Sequence, residues 1–369
     1  MQEVRFLSTR VFVWPGIHAE VGENVRVLAP AARQAFIVTD RKCIPIAKRV
    51  ALSLLQANFE VAGYAMYSGE SRKTVGTVLG VYNKMARMRM ERSCAFVTVG
   101  GGVVTELGTF VASTFRDGLR LFHVPTSLVA QVDSAIGGKS GINLREEKNL
   151  ISTFYPATAV FSDPSLLETL PRKEFLSGLV EVVKYGMVRE ADLLASLEEN
   201  IEGLESRKPL LLEDIVSRCA SIKAAVEKSE QEGVEAVLDY GRTVGHAIEA
   251  AGFFRKVRTG DAMAVGMEAE ALMAERMGVA PPGVPKAQNR ILRLLDLPTR
   301  LRGLTADKLL EAMGLNKNAP GSRVRMALPQ GVGDACQGVE VPVDVVEEGL
   351  RAVLLPGNRL RAVRPMSPA

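Results

Sequence analysis

The pattern of apolar and polar positions changes partway along the chain, and its two parts predict different architectures. Residues 4–13 and 25–28 read as short strands. AFIVTD (35–40), VAGYAMY (61–67), CAFVTVG (94–100) and residues 120–125 are short, nearly continuous apolar runs. Runs of that length suit strands buried on both faces of a parallel sheet. Between them, residues 44–56, 75–90 and 105–116 carry helical spacing. Strands alternating with helices predict an open, mostly parallel sheet with right-handed crossovers. From Leu166 to Met277 the spacing is helical almost throughout: 172–187, 190–204, 209–228, 239–251 and 260–277, with Leu170-Pro171 marking a helix start. PPGVP (281–285) is a breaker, followed by helices at 286–295 and 305–313, a strand or hairpin at 324–329 and a last helix at 344–354. The expected organisation is an α/β domain over 1–165, an all-α domain over 166–355 and a Pro- and Arg-rich tail, 356–369, without regular structure. A ligand cleft is expected between the two domains.

Composition narrows the class. The chain has 369 residues, 47% of them hydrophobic, enough for two sizeable cores. No apolar run approaches the roughly 20 residues that span a bilayer, and MQEVRFLSTR lacks the apolar core of a signal peptide. The four cysteines follow no CxxC spacing and read as reduced thiols, so a cytoplasmic location is expected. The net charge of +4 is mild, and RMRMER (87–92) and RLRAVR (359–364) lack interleaved aromatics, which argues against a nucleic-acid partner.

The candidate chemistry centres on residues 97–149. Gly100, Gly101 and Gly102 follow a buried strand and precede a helix, where a pyrophosphate can approach the backbone at a helix N-terminus. Alone, three glycines are also compatible with an empty tight turn. Asp40, Glu70, Lys73, Thr126 and Ser127 stand at or just after strand ends that a parallel sheet brings to one edge. Asp40 could accept ribose hydroxyls and would repel a 2′-phosphate, favouring NAD over NADP. GGKS lacks the P-loop spacing. Asp133, Lys139, Lys148 and Asn149 read as a loop suited to a phosphate or carboxylate. Glu181 and Lys184, three apart on an apolar helix, share a face, as do Arg242 and His246, four apart. Gly241 and Gly245, flanking the latter pair, suggest a close approach.

GGGVV, VPTSLVAQVDSAIGGKSGIN, KNLI, LETLP, SGLVEVVKYG and GHAIEA occur in order. Together they resemble the 3-dehydroquinate synthases and, more broadly, the sugar phosphate cyclases, over roughly residues 35–350. The resemblance implies a dehydroquinate synthase-like fold, an α/β NAD-binding domain followed by a helical metal- and substrate-binding one. It implies a carbon–oxygen lyase of the shikimate pathway that cyclises a seven-carbon sugar-acid phosphate with loss of phosphate, using NAD and a divalent zinc or cobalt ion, as a homodimer. Carried onto this chain, the cofactor set is Asp40, Glu70, Lys73, Gly101, Gly102, Val103, Glu106, Thr126, Ser127, Lys148 and Thr169. Glu106 stands where the family has aspartate. Asp133, Lys139, Asn149, Lys184, Lys223 and His246 form the catalytic, substrate-side set, and Glu181 is the metal-binding glutamate.

The departures fall together. The family's other two metal ligands are histidines, which here are Arg242 and Thr259. An arginine and an asparagine upstream become Glu235 and Asp239, and a phosphate-binding arginine aligns with Asp117, beside Arg116. The chain has only three histidines, His18, His123 and His246, and only the last lies in the helical part. A two-histidine, one-carboxylate site cannot be assembled there. Arg242 is expected to take the metal's place and pair with Glu181. Three readings follow: a 3-dehydroquinate synthase-like lyase with an altered metal site, a divergent cyclase or oxidoreductase on another sugar phosphate, and a catalytically silent NAD-binding homologue.

Overall fold

The structure is a computed structural model that describes residues 2–145, 147–229, 237–252, 257–315, 321–357 and 360–363. The chain divides into two compact units, Met1–Pro171 with Arg207–Ala224, and Arg172–Ser206 with Ala225–Ala369.

The first unit opens with a hairpin, β1 (Gln2–Phe6) and β2 (Thr9–Val13), then α1 (Val21–Leu28), β3 (Gln34–Asp40), α2 (Ile44–Gln56), β4 (Glu60–Met66) and α3 (Val75–Arg87). It continues with β5 (Ala95–Gly100), α4 (Gly102–Thr114), β6 (Arg120–Pro125), the antiparallel pair β7 (Lys139–Leu144) and β8 (Glu147–Phe154), and β9 (Ala159–Ser162). The main sheet has the order β1-β2-β9-β6-β5-β3-β4, parallel except for β1. Asp40 pairs with Met66, Gly100 with Pro125 and Val13 with Ser162, so the strands' C-terminal ends share one edge. Under the sheet, Phe12, Phe161 and Phe122 stack in series, with centroids 5.6 and 6.2 Å apart.

Two expectations change in this unit. Residues 25–28 belong to a helix, because Val21, Gly22 and Val25 are its buried face. A Cβ on Gly22 would lie 2.0 Å from the Ser53 carbonyl oxygen, so α1 packs on α2 at backbone contact. VRVL alternates like a strand only when cut from that period. Asp133, Lys139, Lys148 and Asn149 do not share a loop: Asp133 lies in a π-helical turn, Ala130–Ser134, and the others lie on β7 and β8.

The chain then runs through α5 (Arg172–Arg189), α6 (Ala191–Glu199), α7 (Ile201–Glu205) and α8 (Pro209–Ser229), the greater part of α8 lying within the first unit. The second unit continues with α9 (Arg242–Ala251), α10 (Thr259–Arg276), α11 (Val284–Leu294), β10 (Arg300–Arg302) and α12 (Ala306–Ala312). After these come the hairpin β11 (Arg323–Gly331) and β12 (Asp334–Pro342), α13 (Val343–Val353), β13 (Leu354–Leu355) and β14 (Arg361–Val363). The unit is helical but not all-α, because β10 pairs with both β13 and β14 and thereby brings part of the tail into a sheet.

The close approach expected at Gly241 and Gly245 is that of α10. A Cβ on Gly245 would lie 3.2 Å from the Met263 Cα, and one on Gly266 would lie 2.2 Å from the Gly241 carbonyl oxygen. Both helices have contact residues too small to hold their backbones apart. Gly266→Ala is expected to destabilise the protein by about 1–3 kcal/mol, as overpacking does, read as a lower midpoint in urea unfolding.

Candidate functional site

In the first unit the site is built on the shared strand edge. β5 ends at Gly100, and Gly101 is the N-cap of α4, with no side chain capping the helix. A Cβ on Gly101 would lie 3.2 Å from Ser127 Oγ, and one on Gly102 would lie 3.0 Å from Ser134 Oγ. The glycines therefore leave a cradle bounded by two hydroxyls and the free N–H end of α4. Ser134 Oγ is buried without a hydrogen-bond partner. Thr126 N–H donates to the Gly100 carbonyl (3.0 Å), fixing Thr126 and Ser127 beside this turn. Asp40 Oδ1 accepts from the N–H groups of Lys42 (2.7 Å) and Cys43 (3.1 Å). Burial pushes the Cys43 thiol, 3.4 Å from Thr126 Oγ1, up to about 11.

Lys73 ties this edge together. Its ammonium, 3% exposed, contacts Glu106 of α4, Asn149 Oδ1 of β8 (2.6 Å) and Glu70 Oε1 (3.1 Å). Burial lowers the pKa of Lys73, but the Glu106 and Glu70 carboxylates outweigh it and raise the value overall. Burial raises the Glu106 carboxyl, and Lys73 offsets this only in part. Asn143, which sequence reasoning missed, donates to Glu70 Oε1 (2.8 Å) and accepts from Asn149 N–H (3.0 Å). Asn149, placed on the substrate side by resemblance, stands in this network with φ +56°. Its Cβ would lie 2.6 Å from a Cβ on Gly141, so only glycine fits opposite it.

Lys223, on α8, reaches Asp133 within the same unit, with Nζ 2.6 Å from Oδ1 and 2.8 Å from the carbonyl oxygen. Lys139 is exposed at the start of β7, Lys148 is half-buried, and Thr169 is exposed at the end of a 3₁₀ turn. Arg116 and Asp117 follow the last residue of α4, at the end of that helix opposite the glycine turn. His123 is a core residue, bonded to Thr98 Oγ1 (2.6 Å) and Thr109 Oγ1 (3.3 Å), and burial lowers its pKa to about 3. Beyond β2, His18 Nδ1 lies 2.5 Å from Asp163 Oδ2. Burial raises that carboxyl, but bonds from His18, Ser165 and the Gly16 N–H hold it below its usual range. No motif marks this pair in the sequence.

In the second unit, Lys184 is fully buried with Nζ 2.6 Å from Glu181 Oε2, too poorly aligned for a hydrogen bond. The expected Glu181–Arg242 pair does not form. Lys184, one helical turn away, already neutralises Glu181, and Arg242 Nη1 lies 3.5 Å from Asp239 Oδ1. Thr259 Oγ1 donates to Glu249 Oε1 (2.5 Å), His246 is exposed on α9, and Glu235 lies outside the described residues.

The first turn of α9 is capped from α10. Glu270, fully buried, accepts from the N–H groups of Gly241 (2.5 Å) and Val244 (3.0 Å). Burial raises its pKa to about 8, against the lowering effect of these donors.

The glycine cradle, the unpartnered Ser134 hydroxyl and the carboxylates at the strand ends fit a dinucleotide. The described residues of the second unit do not fit a divalent metal. Among the described residues no group of three or more His, Cys, Asp and Glu side chains is placed to hold one.

Two measurements test this geometry. Lys73→Met should cost about 3 kcal/mol of stability by leaving Glu106 buried without its cation, and should weaken NAD binding in calorimetric titration. An acid with a raised folded pKa contributes stability below its unfolded value and loses that contribution as pH rises through the folded one. Stability of the parent chain should therefore fall between pH 5 and 8 by over ~1 kcal/mol more than that of Glu270→Gln in urea unfolding.

The 3-dehydroquinate synthase N-terminal model matches residues 63–177 and the C-terminal model residues 178–319. A 3-dehydroquinate synthase of Nostoc punctiforme is 38% identical over 311 residues, 83% of this chain and 86% of that protein. A 2-deoxy-scyllo-inosose synthase, solved with carbaglucose-6-phosphate, NAD+ and Co2+, is 25% identical with a TM-score of 0.85, covering 96% of this chain and all of that one. The 2-epi-5-epi-valiolone synthase of Streptomyces hygroscopicus subsp. jinggangensis, solved with NAD+ and Zn2+, is 26% identical with a TM-score of 0.82, over 96% and 98% of the two chains. Sequence match and fold agree: the chain belongs to the 3-dehydroquinate synthase family.

Proposed function

We propose that this chain is an NAD-dependent carbon–oxygen lyase that cyclises a seven-carbon sugar-acid phosphate with loss of phosphate, the 3-dehydroquinate synthase reaction of the shikimate pathway. The observation that carries the reading is the shared strand edge, where the glycine cradle, Asp40 and the Lys73 network stand together. Gly101, Gly102 and Asp40 would hold NAD there, and its nicotinamide would supply a reversible hydride acceptor for a substrate hydroxyl carbon.

The chain's own residues supply position and charge. Gly101, Gly102 and Val103 offer backbone N–H groups for the pyrophosphate, with Thr126 and Ser127 beside them. Asp40 offers its second oxygen to a ribose. Glu70, Lys73 and Glu106 hold the turn after β4 against α4, and Lys148 and Thr169 complete the cofactor side. Asp133, fixed by Lys223, and Lys139 and Asn149 of the first unit are proposed to contact the sugar acid and its phosphate; the family resemblance also assigns Lys184 and His246 to the substrate. Ammonium groups there offset phosphate charge and stabilise it as it departs. A cytoplasmic homodimer is proposed with this reading; no helix of the described residues is long and apolar enough to cross a membrane.

The poor fit of a metal favours a second reading, a homologue that binds NAD and a sugar phosphate without turning over. Phosphate release from the seven-carbon precursor, followed alongside NAD binding, separates the two. Release at a rate above about 1 s⁻¹, ordinary for an enzyme, is the expected outcome. NAD binding with no release from that substrate would leave the second reading in place.

A further inference from the structure

We infer that this chain holds no divalent metal where its solved relatives carry zinc or cobalt, and that Lys184 is instead the fixed cation on Glu181. The inference rests on the family reading only for the location of the site.

Three observations converge on it. First, Glu181 and Lys184 lie three residues apart on α5, with Nζ and Oε2 at 2.6 Å, and the lysine is fully buried. The Glu181 carboxylate therefore has a cation in contact on its own helix. Second, neither side chain at the other two ligand positions offers the imidazole nitrogen of a histidine. Arg242 keeps its proton and has no lone pair to offer. It lies 3.5 Å from Asp239. The Thr259 hydroxyl gives its proton to Glu249 and is a neutral oxygen, a weaker donor to zinc or cobalt than imidazole. Third, the backbone there is held without a metal. Glu270 caps the first turn of α9, and Gly260, in the first turn of α10, packs so closely on α5 that an added Cβ would lie 2.7 Å from Ser177 Cα. A metal is not needed to hold the three helices together.

Among the described residues, side chains supply charge at this place: Glu181 with Lys184, and Arg242 with Asp239. The pairs neutralise themselves, whereas a metal site carries net positive charge. Ligand binding by this chain is accordingly independent of divalent ions.

The experiment measures metal content and NAD affinity of the full chain, so its result does not depend on turnover. Protein stripped with chelator is incubated with zinc or with cobalt, gel-filtered and assayed by elemental analysis. NAD affinity is measured with chelator and with added zinc. Expected are less than about 0.1 equivalent of either metal and NAD affinities within about twofold of each other. Glu181→Gln should lower the thermal midpoint by stranding Lys184, and Glu181→Gln with Lys184→Met should recover most of that loss. Near one equivalent of zinc or cobalt in the parent chain, lost in the double variant, would overturn the inference. Loss of phosphate release with no bound metal would count against the lyase reading alone.

Discussion

The buried ammonium of Lys73 is the contact on which the strand edge beside the glycine turn depends. It joins a turn after β4, the second helical turn of α4 and the β7–β8 ladder, three segments far apart in sequence. Lys73 and Glu106 are each costly to bury alone, and each is tolerable because the other is present. Asn143 and Asn149 extend the same arrangement through neutral hydrogen bonds, so the ladder is oriented by polar contacts as well as by its own pairing. The glycine cradle keeps its shape because the elements beside it cannot drift independently.

The helical unit solves its corresponding problem with small residues and a buried acid. Gly241, Gly245 and Gly266 let α9 and α10 meet at backbone distance, where contacts are numerous and dispersion is strong. That closeness places Glu270 against the otherwise uncapped N–H groups of α9, doing from a neighbouring helix what an N-cap residue does locally. The position of Arg242 is therefore set by α10 as much as by its own helix.

The strand-and-helix alternation was readable because each buried strand is an uninterrupted apolar run and each helix keeps its period. Reading failed where the deciding partner was distant. The period of α1 is disguised by Gly22, whose role appears only against Ser53. The β7–β8 ladder looks like a loop because its glycines and charges answer to α4 and the turn after β4. That the helical part carries a single histidine, His246, was legible by counting. The partner of Glu181 was not, since Lys184 and Arg242 were both plausible cations and only the fold shows that the nearer one is already in contact. His18 with Asp163 carried no local signal at all, because its two members are brought together by the pairing of β2 with β9.

The short strand β14 has a consequence for handling the protein. Arg361–Val363 covers one edge of β10, Leu360 packs at Gly252 after α9, and Gly357 meets the stem of Arg302. A chain cut just after α13 would expose the backbone groups of Arg300–Arg302 as an open edge for another chain to pair with. It would also uncover the end of the helix that carries Arg242 and His246. Loss of β1 would act in the same way, since it is an edge strand of the main sheet and covers β2.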